Sequence, residues 1–154
     1  MTTDALAFRR AVLGDLPTIV ALLADDPIGA GRENHGTPLD IAYRDAFAAI
    51  DRDPNQLLAV AETRGRAIGV LQLSFIPGLT RRGMWRGQIE GVRVAAGERG
   101  GGVGRVMLEW GIAECRKRGC GLVQLTSDKR RSEAHRFYET LGFQATHEGY
   151  KLSL

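Results

Sequence analysis

The stretch Val92-Arg93-Val94-Ala95-Ala96-Gly97-Glu98-Arg99-Gly100-Gly101-Gly102-Val103-Gly104-Arg105 decides the fold of this chain. A β-type run, Gln88 to Ala95, enters a glycine-rich turn, and the turn opens directly into a helical pattern that reaches about Arg118. That order makes an anion site. The N–H groups of a helix's first turn have no acceptor behind them, and the aligned peptide dipoles put partial positive charge there. Phosphate oxygens satisfy both. Gly100, Gly101, Gly102 and Gly104 keep side chains out of the way, Val103 opens the helix, and Arg99 and Arg105 add charge.

The same residues exclude two familiar phosphate loops. A P-loop ends in Gly-Lys-Ser/Thr, which does not follow Gly104, and the dinucleotide fingerprint needs a third glycine where position 107 is Met. What remains is Arg99-x-x-Gly102-x-Gly104, joined about thirty residues on by Ala134-His135-Arg136-Phe137-Tyr138-Glu139-Thr140-Leu141-Gly142-Phe143. Together these blocks resemble the Gln/Arg-x-x-Gly-x-Gly/Ala and Ala-x-x-x-Tyr-x-x-x-Gly-Phe motifs of the Gcn5-related N-acetyltransferase (GNAT) family, which binds acetyl-coenzyme A. The likeness covers Ile89 to Phe143 by motif and the rest of the chain by the order of its strands and helices.

Composition agrees with a single domain over residues 1–154. The chain has 154 residues, 44% hydrophobic and 25% charged, enough for one core and crowded for two. A formal charge of +3 is mild, and its arginines are not interleaved with aromatics, so nucleic acid is not an expected partner. Cys115 and Cys120 lack a paired framework, which points to a reduced chain. Met1 to Arg10 shows no leader and no segment approaches a membrane span, so no membrane partner is expected and a cytoplasmic location is the default.

Outward from the central stretch, the periodicities predict a strand over Leu6 to Val12 and a helix capped by Asp15. A polar loop from Asp25 to Gly36 follows, with Asp25, Asp26, Glu33, Asn34 and His35 as candidates to meet a substrate or simply as solvated residues. A second helix starts at Thr37-Pro38. Leu57 to Glu62 and Ala67 to Ile76 read as a hairpin joined by Thr63-Arg64-Gly65-Arg66, and an arginine-bearing loop runs from Leu79 to Gly87. After the glycine-turn helix come a strand over Leu122 to Thr126, parallel to the central one, and a short helix to Leu141. One or two last strands are expected within Phe143 to Leu154. The fold is α+β: a mixed, mostly antiparallel sheet with a parallel central pair, flanked by about four helices. The resemblance implies that the central pair splays at the cofactor site.

The resemblance further implies that the cofactor's pantetheine arm lies between the diverging strands. Val92 and Val94 then make main-chain contacts, Arg99 to Arg105 hold the diphosphate, and an N–H near Val92 faces the thioester oxygen. Tyr138 fills the family's position for protonating the departing thiolate, and it also lies on its helix's apolar stripe. Glu90, nine positions before Arg99, occupies a place where some relatives carry an acceptor-facing glutamate, as a candidate base for the amine. By strict alternation Glu90 shares a face with Val92 and Val94, and a bulge would reverse that. Its other reading is a strand glutamate that holds Arg86 or Arg93. Where relatives often carry Asn against the pantetheine arm, this chain has Arg131, a candidate for a phosphate instead. No His, Cys and carboxylate cluster has metal-ligand spacing, and the cysteines read as core. The expected activity is direct acetyl transfer to the amine of a small molecule, peptide or protein, the alternative being a non-catalytic acyl-coenzyme A sensor. Homodimers are common in the family.

Overall fold

The computed structural model describes residues 5–154, so the expected leader-free start lies partly outside it, at Met1 to Asp4. Strands β1 Ala7–Arg10, β2 Gln56–Thr63, β3 Arg66–Ile76, β4 Arg86–Val94 and β5 Leu122–Leu125 form one sheet in sequence order. Neighbours are antiparallel except β4 and β5, which run parallel as their helical crossover requires. The helices are α1 Leu16–Ala24, α2 Ile41–Arg52, α3 Thr80–Gly83, α4 Val103–Lys117 and α5 Ser132–Thr140. Four are full helices, as expected; α3 is a single turn in the arginine loop, with Arg81 and Arg82 at φ of 54° and 63°.

Alternation along the strands assigns the two faces. Leu58, Val60 and Val70 pack with Leu16, Ile19, Val20 and Leu22 of α1 and Phe47 of α2. Ala61, Leu71, Leu73, Phe75 and Ile89 pack with Met107, Leu108 and Cys115 of α4, and Phe137, Tyr138 and Leu141 of α5 join them. The amphipathic stripes read from sequence therefore cover both sides of the sheet.

Besides an irregularity between β2 and β3 at Ala61 and Glu62, one residue breaks the alternation of β4. Val70 pairs with Arg93 and Gln72 with Glu90, two steps on β3 against three on β4. The extra residue centres on Gly91, whose φ of 64° is a conformation that side chains with a Cβ avoid. Ile89 packs toward α4 before this bulge, and Val92 and Val94 pack there again after it. Glu90 and Arg93 consequently face the α1–α2 side, so the shared face of Glu90 with Val92 and Val94 is not what the chain adopts.

Three local expectations change for physical reasons. Asp40, not Thr37, caps α2, its carboxylate accepting the Ala42 N–H at 2.9 Å. The Asp15 carboxylate does not cap α1; it accepts the Val12 N–H at 2.8 Å and two hydrogen bonds from Arg9. Residues 143–154 form no strand. Tyr150, Leu152 and Leu154 carry the two-residue alternation but stand 89%, 86% and 118% exposed. Alternation says which side chains would share a face, and a strand also needs a partner edge.

Candidate active site

The site grows from the place where β4 and β5 part. Their pairing ends at Ile89 with Leu125, while β4 continues to Val94. The Ala95 N–H donates to Ile68 O at 2.8 Å, so alternate peptide groups at 93 and 95 face β3 and those of Val92 and Val94 face the gap. Arginines hold both carbonyls there: Arg93 Nη1 donates to Val92 O at 2.8 Å and Arg99 Nε to Val94 O at 3.0 Å. A cavity of about 260 Å³ opens beside them, lined by Asp25, Asp26, Pro27, Val92, Arg93, Val94, Arg99 and Arg131.

At the upper end of this gap the glycine turn delivers α4. Gly102 is its N-cap residue at φ 84°, and the first cap hydrogen bond runs from the Val106 N–H to Gly102 O at 3.2 Å. The N–H groups of Val103, Gly104 and Arg105 therefore face outward without intrahelical acceptors. No heavy atom beyond the chain neighbours lies within 4 Å of where a Cβ on Gly100 or Gly102 would stand. The helix end offers open space, free donors and the positive end of its dipole.

The charged residues around the gap are tied to the loop after α1. Asp26 accepts Arg131 through both oxygens at 2.6 and 2.7 Å, accepts the Gly29 N–H at 2.6 Å, and lies 3.7 Å from Arg93 Nη2. Arg99 Nη2 donates to Asp25 O at 2.8 Å and to its carboxylate at 3.1 Å. Arg105 bonds Glu109 and Thr140. Glu33 and Asn34 are held by the Tyr43 hydroxyl, while His35 is exposed. Asp25 and Asp26 thus clasp the gap, while Glu33 and Asn34 are tied to α2.

This clasp carries a stability prediction. The Arg131 guanidinium, chiefly, holds the Asp26 carboxyl at about 2, well below the usual carboxylate range, with smaller help from the Gly29 N–H and Arg93. Because the folded value lies below the unfolded one of about 3.9, the contribution is complete above about pH 4 and is lost as the pH falls toward 2. Asp26→Asn is expected to lower unfolding free energy at pH 7 by about 2–3 kcal/mol, since it leaves two arginines facing each other without their carboxylate. Urea unfolding at pH 7 and pH 3 checks this, and the difference between wild type and variant should shrink at the lower pH.

Tyr138 approaches from α5, its ring packed edge-on to Phe143 at 6.0 Å and tilted against Phe137 at 5.6 Å. Burial pushes its hydroxyl above the ordinary value, while Arg93 and Arg131 pull it back. The tyrosine thus sits within electrostatic reach of the clasp and stays protonated at neutral pH. Glu90 lies on the opposite face, exposed, and among the described residues neither Arg86 nor Arg93 forms an ion pair with it. Burial raises the Cys115 thiol to about 11, so it is a core residue and a poor nucleophile.

Two polar atoms stand out that the sequence reading did not place at the site. Among the described residues, Arg93 Nε and Ser127 Oγ are the two buried side-chain polar atoms without a hydrogen-bond partner. Both follow the last paired residues of their strands, Ile89 and Leu125. An arginine in an otherwise apolar strand segment was the available signal for the first. From sequence Ser127, like Ser132, reads as a cap for the last helix, and α5 starts at Ser132 with no side-chain cap.

The acetyltransferase (GNAT) family profile matches residues 17–143. The aminoalkylphosphonate N-acetyltransferase of Salmonella typhimurium is 34% identical over 106 residues, 69% of this chain and 68% of that protein. The glucosamine 6-phosphate N-acetyltransferase of Trypanosoma brucei brucei is 36% identical over 90 residues, 58% of this chain and 59% of that protein. A crystal structure described as a transcriptional regulator from Bacillus halodurans C-125 superposes with a TM-score of 0.95 at 45% identity, covering 97% of this chain and 100% of that one. With a splayed parallel strand pair, a glycine turn at a helix N-terminus and a profile match across most of its length, this chain belongs to the acetyltransferase (GNAT) family.

Proposed function

We propose that this protein transfers an acetyl group from acetyl-coenzyme A to the primary amine of a small molecule by direct attack in a ternary complex. The observation that carries the reading is the gap itself: main-chain groups of Val92 and Val94 face it, and Arg93 Nε stays buried and unpartnered beside it. An amide-bearing chain laid into the gap fits such groups as an added strand would. The free amides of the α4 N-terminus fit a diphosphate. Acetyl-coenzyme A would supply an activated thioester there. The small-molecule acceptor follows the two N-acetyltransferase relatives, whose named substrates are small amines.

The chain's own residues then divide the work. The N–H of Val92 fixes a carbonyl oxygen and stabilises negative charge that develops on it. Tyr138, kept protonated by burial, donates a proton to a departing thiolate. The same two arginines that pull on its hydroxyl favour the anionic state around it. Glu90, on the α1–α2 face across the bulge, accepts the proton of an incoming ammonium, directly or through water. Glu90→Gln is expected to lower kcat/KM for the amine about 100-fold near neutral pH with acetyl-coenzyme A affinity unchanged. An unaltered pH profile would assign the base to water or another group.

Release of free thiol from acetyl-coenzyme A, with purified protein and a mixed panel of amines against amine-free controls, tests the reading. Amine-dependent release is the expected result. The Bacillus halodurans neighbour, described as a regulator, gives the other reading its footing. A non-catalytic acyl-coenzyme A sensor would bind the thioester tightly and release nothing with any amine.

A further inference from the structure

We infer that a transverse row of neutral side chains, Gln56, Ser74, Gln88 and Gln124, is the acceptor-specificity surface, and that it selects a primary amine carried on a hydroxyl-bearing small molecule; this rests on the transferase reading above. The row is set by strand register. Gln56 pairs with Ser74, Ser74 with Gln88 and Gln88 with Gln124, so one residue from each of β2, β3, β4 and β5 stands in line. All four lie on the face opposite the α4 core, because their neighbours Leu57, Leu73, Ile89, Val123 and Leu125 pack toward α4.

Hydrogen bonds within the row orient the amides. Ser74 Oγ donates to Gln56 Oε1 at 3.0 Å, Gln72 Nε2 donates to the same oxygen at 2.9 Å, and Gln124 Nε2 donates to Gln88 Oε1 at 2.8 Å. The Nε2 groups of Gln56 and Gln88 and the Oε1 atoms of Gln72 and Gln124 point elsewhere, with no partner among the described residues. None of these four atoms is among the sealed, unpartnered ones, which are Arg93 Nε and Ser127 Oγ. Ser74 is buried and the glutamine side chains are half-buried, yet the free ends of the glutamines stay open. Two donors and two acceptors on a neutral surface match hydroxyl groups, each of which donates and accepts.

Charge fixes the direction of docking. One register step toward the bulge from this row stands Glu90, opposite Gln72 and exposed. An ammonium held by Glu90 lies next to the gap between β4 and β5, and the hydroxylated body behind it lies along the row. A hydroxyl-free amine strips water from these amides without replacing its hydrogen bonds, and such mismatches discriminate strongly.

The test uses the full chain and thiol release with matched amines: glucosamine, serinol and kanamycin against cyclohexylamine and benzylamine, with a lysine-bearing peptide alongside. The best hydroxylated amine is expected to exceed the best hydroxyl-free one by at least about 100-fold in kcat/KM. Gln88→Met and Gln124→Met should each lower the hydroxylated value about tenfold while leaving the hydroxyl-free value, acetyl-coenzyme A affinity and thermal midpoint unchanged. Equal use of both classes, preference for the peptide, or variants that lower both classes alike would overturn the row's role and leave the transferase standing. Absence of release with every amine overturns both.

Discussion

Gly102→Val is expected to abolish coenzyme A binding, a loss of at least about 100-fold, while the chain stays folded. Gly102 holds φ 84° as the N-cap residue of α4, and nothing stands within 4 Å of the place a Cβ would take. Valine in that conformation is strained by roughly 1–3 kcal/mol, and relief comes by moving the turn. A branched side chain also fills the space where oxygens would meet the amides of Val103 and Gly104. Hydrogen bonds to a charged group contribute about 1.5–3 kcal/mol each, so losing two removes most of the affinity. Calorimetric titration with coenzyme A, alongside a far-ultraviolet spectrum of the variant, checks both halves. Unchanged affinity would remove the anion site from the α4 N-terminus.

Tyr138→Phe is expected to lower kcat by about 100-fold or more and to leave acetyl-coenzyme A affinity within about twofold. The ring is packed against Phe137 and Phe143, and phenylalanine keeps those contacts. Only the hydroxyl goes. Its elevated value means that wild-type turnover should hold at neutral pH and fall on the alkaline side as the tyrosine ionises, a limb the variant lacks. The sign follows from the acid role: the protonated form works, and burial extends its range upward. Pre-steady-state thiol release across pH separates this from slower product departure. Full turnover by the variant would return Tyr138 to the core.

The fold was largely legible because its decisive stretch couples two different periodicities through a glycine turn. Residues 88 to 118 could hardly be anything but strand, turn and helix, and the parallel β5 followed from that crossover. Tyr138 was proposed from its motif. What resisted reading was set by contacts across long separations. Asp26 and Arg131 stand 105 residues apart, and neither a loop aspartate nor a basic run announces such a partner. The cap of α2 moved from Thr37 to Asp40, two residue types that both cap well, so residue type does not choose between them. The polar row needs the register of four strands, and each of its glutamines alone looks like an ordinary exposed strand position. Gly91 was visible as a strand glycine, but a glycine marks the permission for a bulge and not its presence.

That bulge also governs how the chain tolerates insertions and deletions. At the hairpin tip, Arg64 and Gly65 connect β2 to β3, and length changes there alter a loop. Adding one residue beside Gly91 acts as a frameshift written in three dimensions. Every position after it turns over, so Arg93 would be driven among Met107, Phe137 and Tyr138 while Val92 and Val94 faced Asp26. A library that varies chain length should therefore recover insertions at the hairpin and none at this position, although both Gly65 and Gly91 have positive φ.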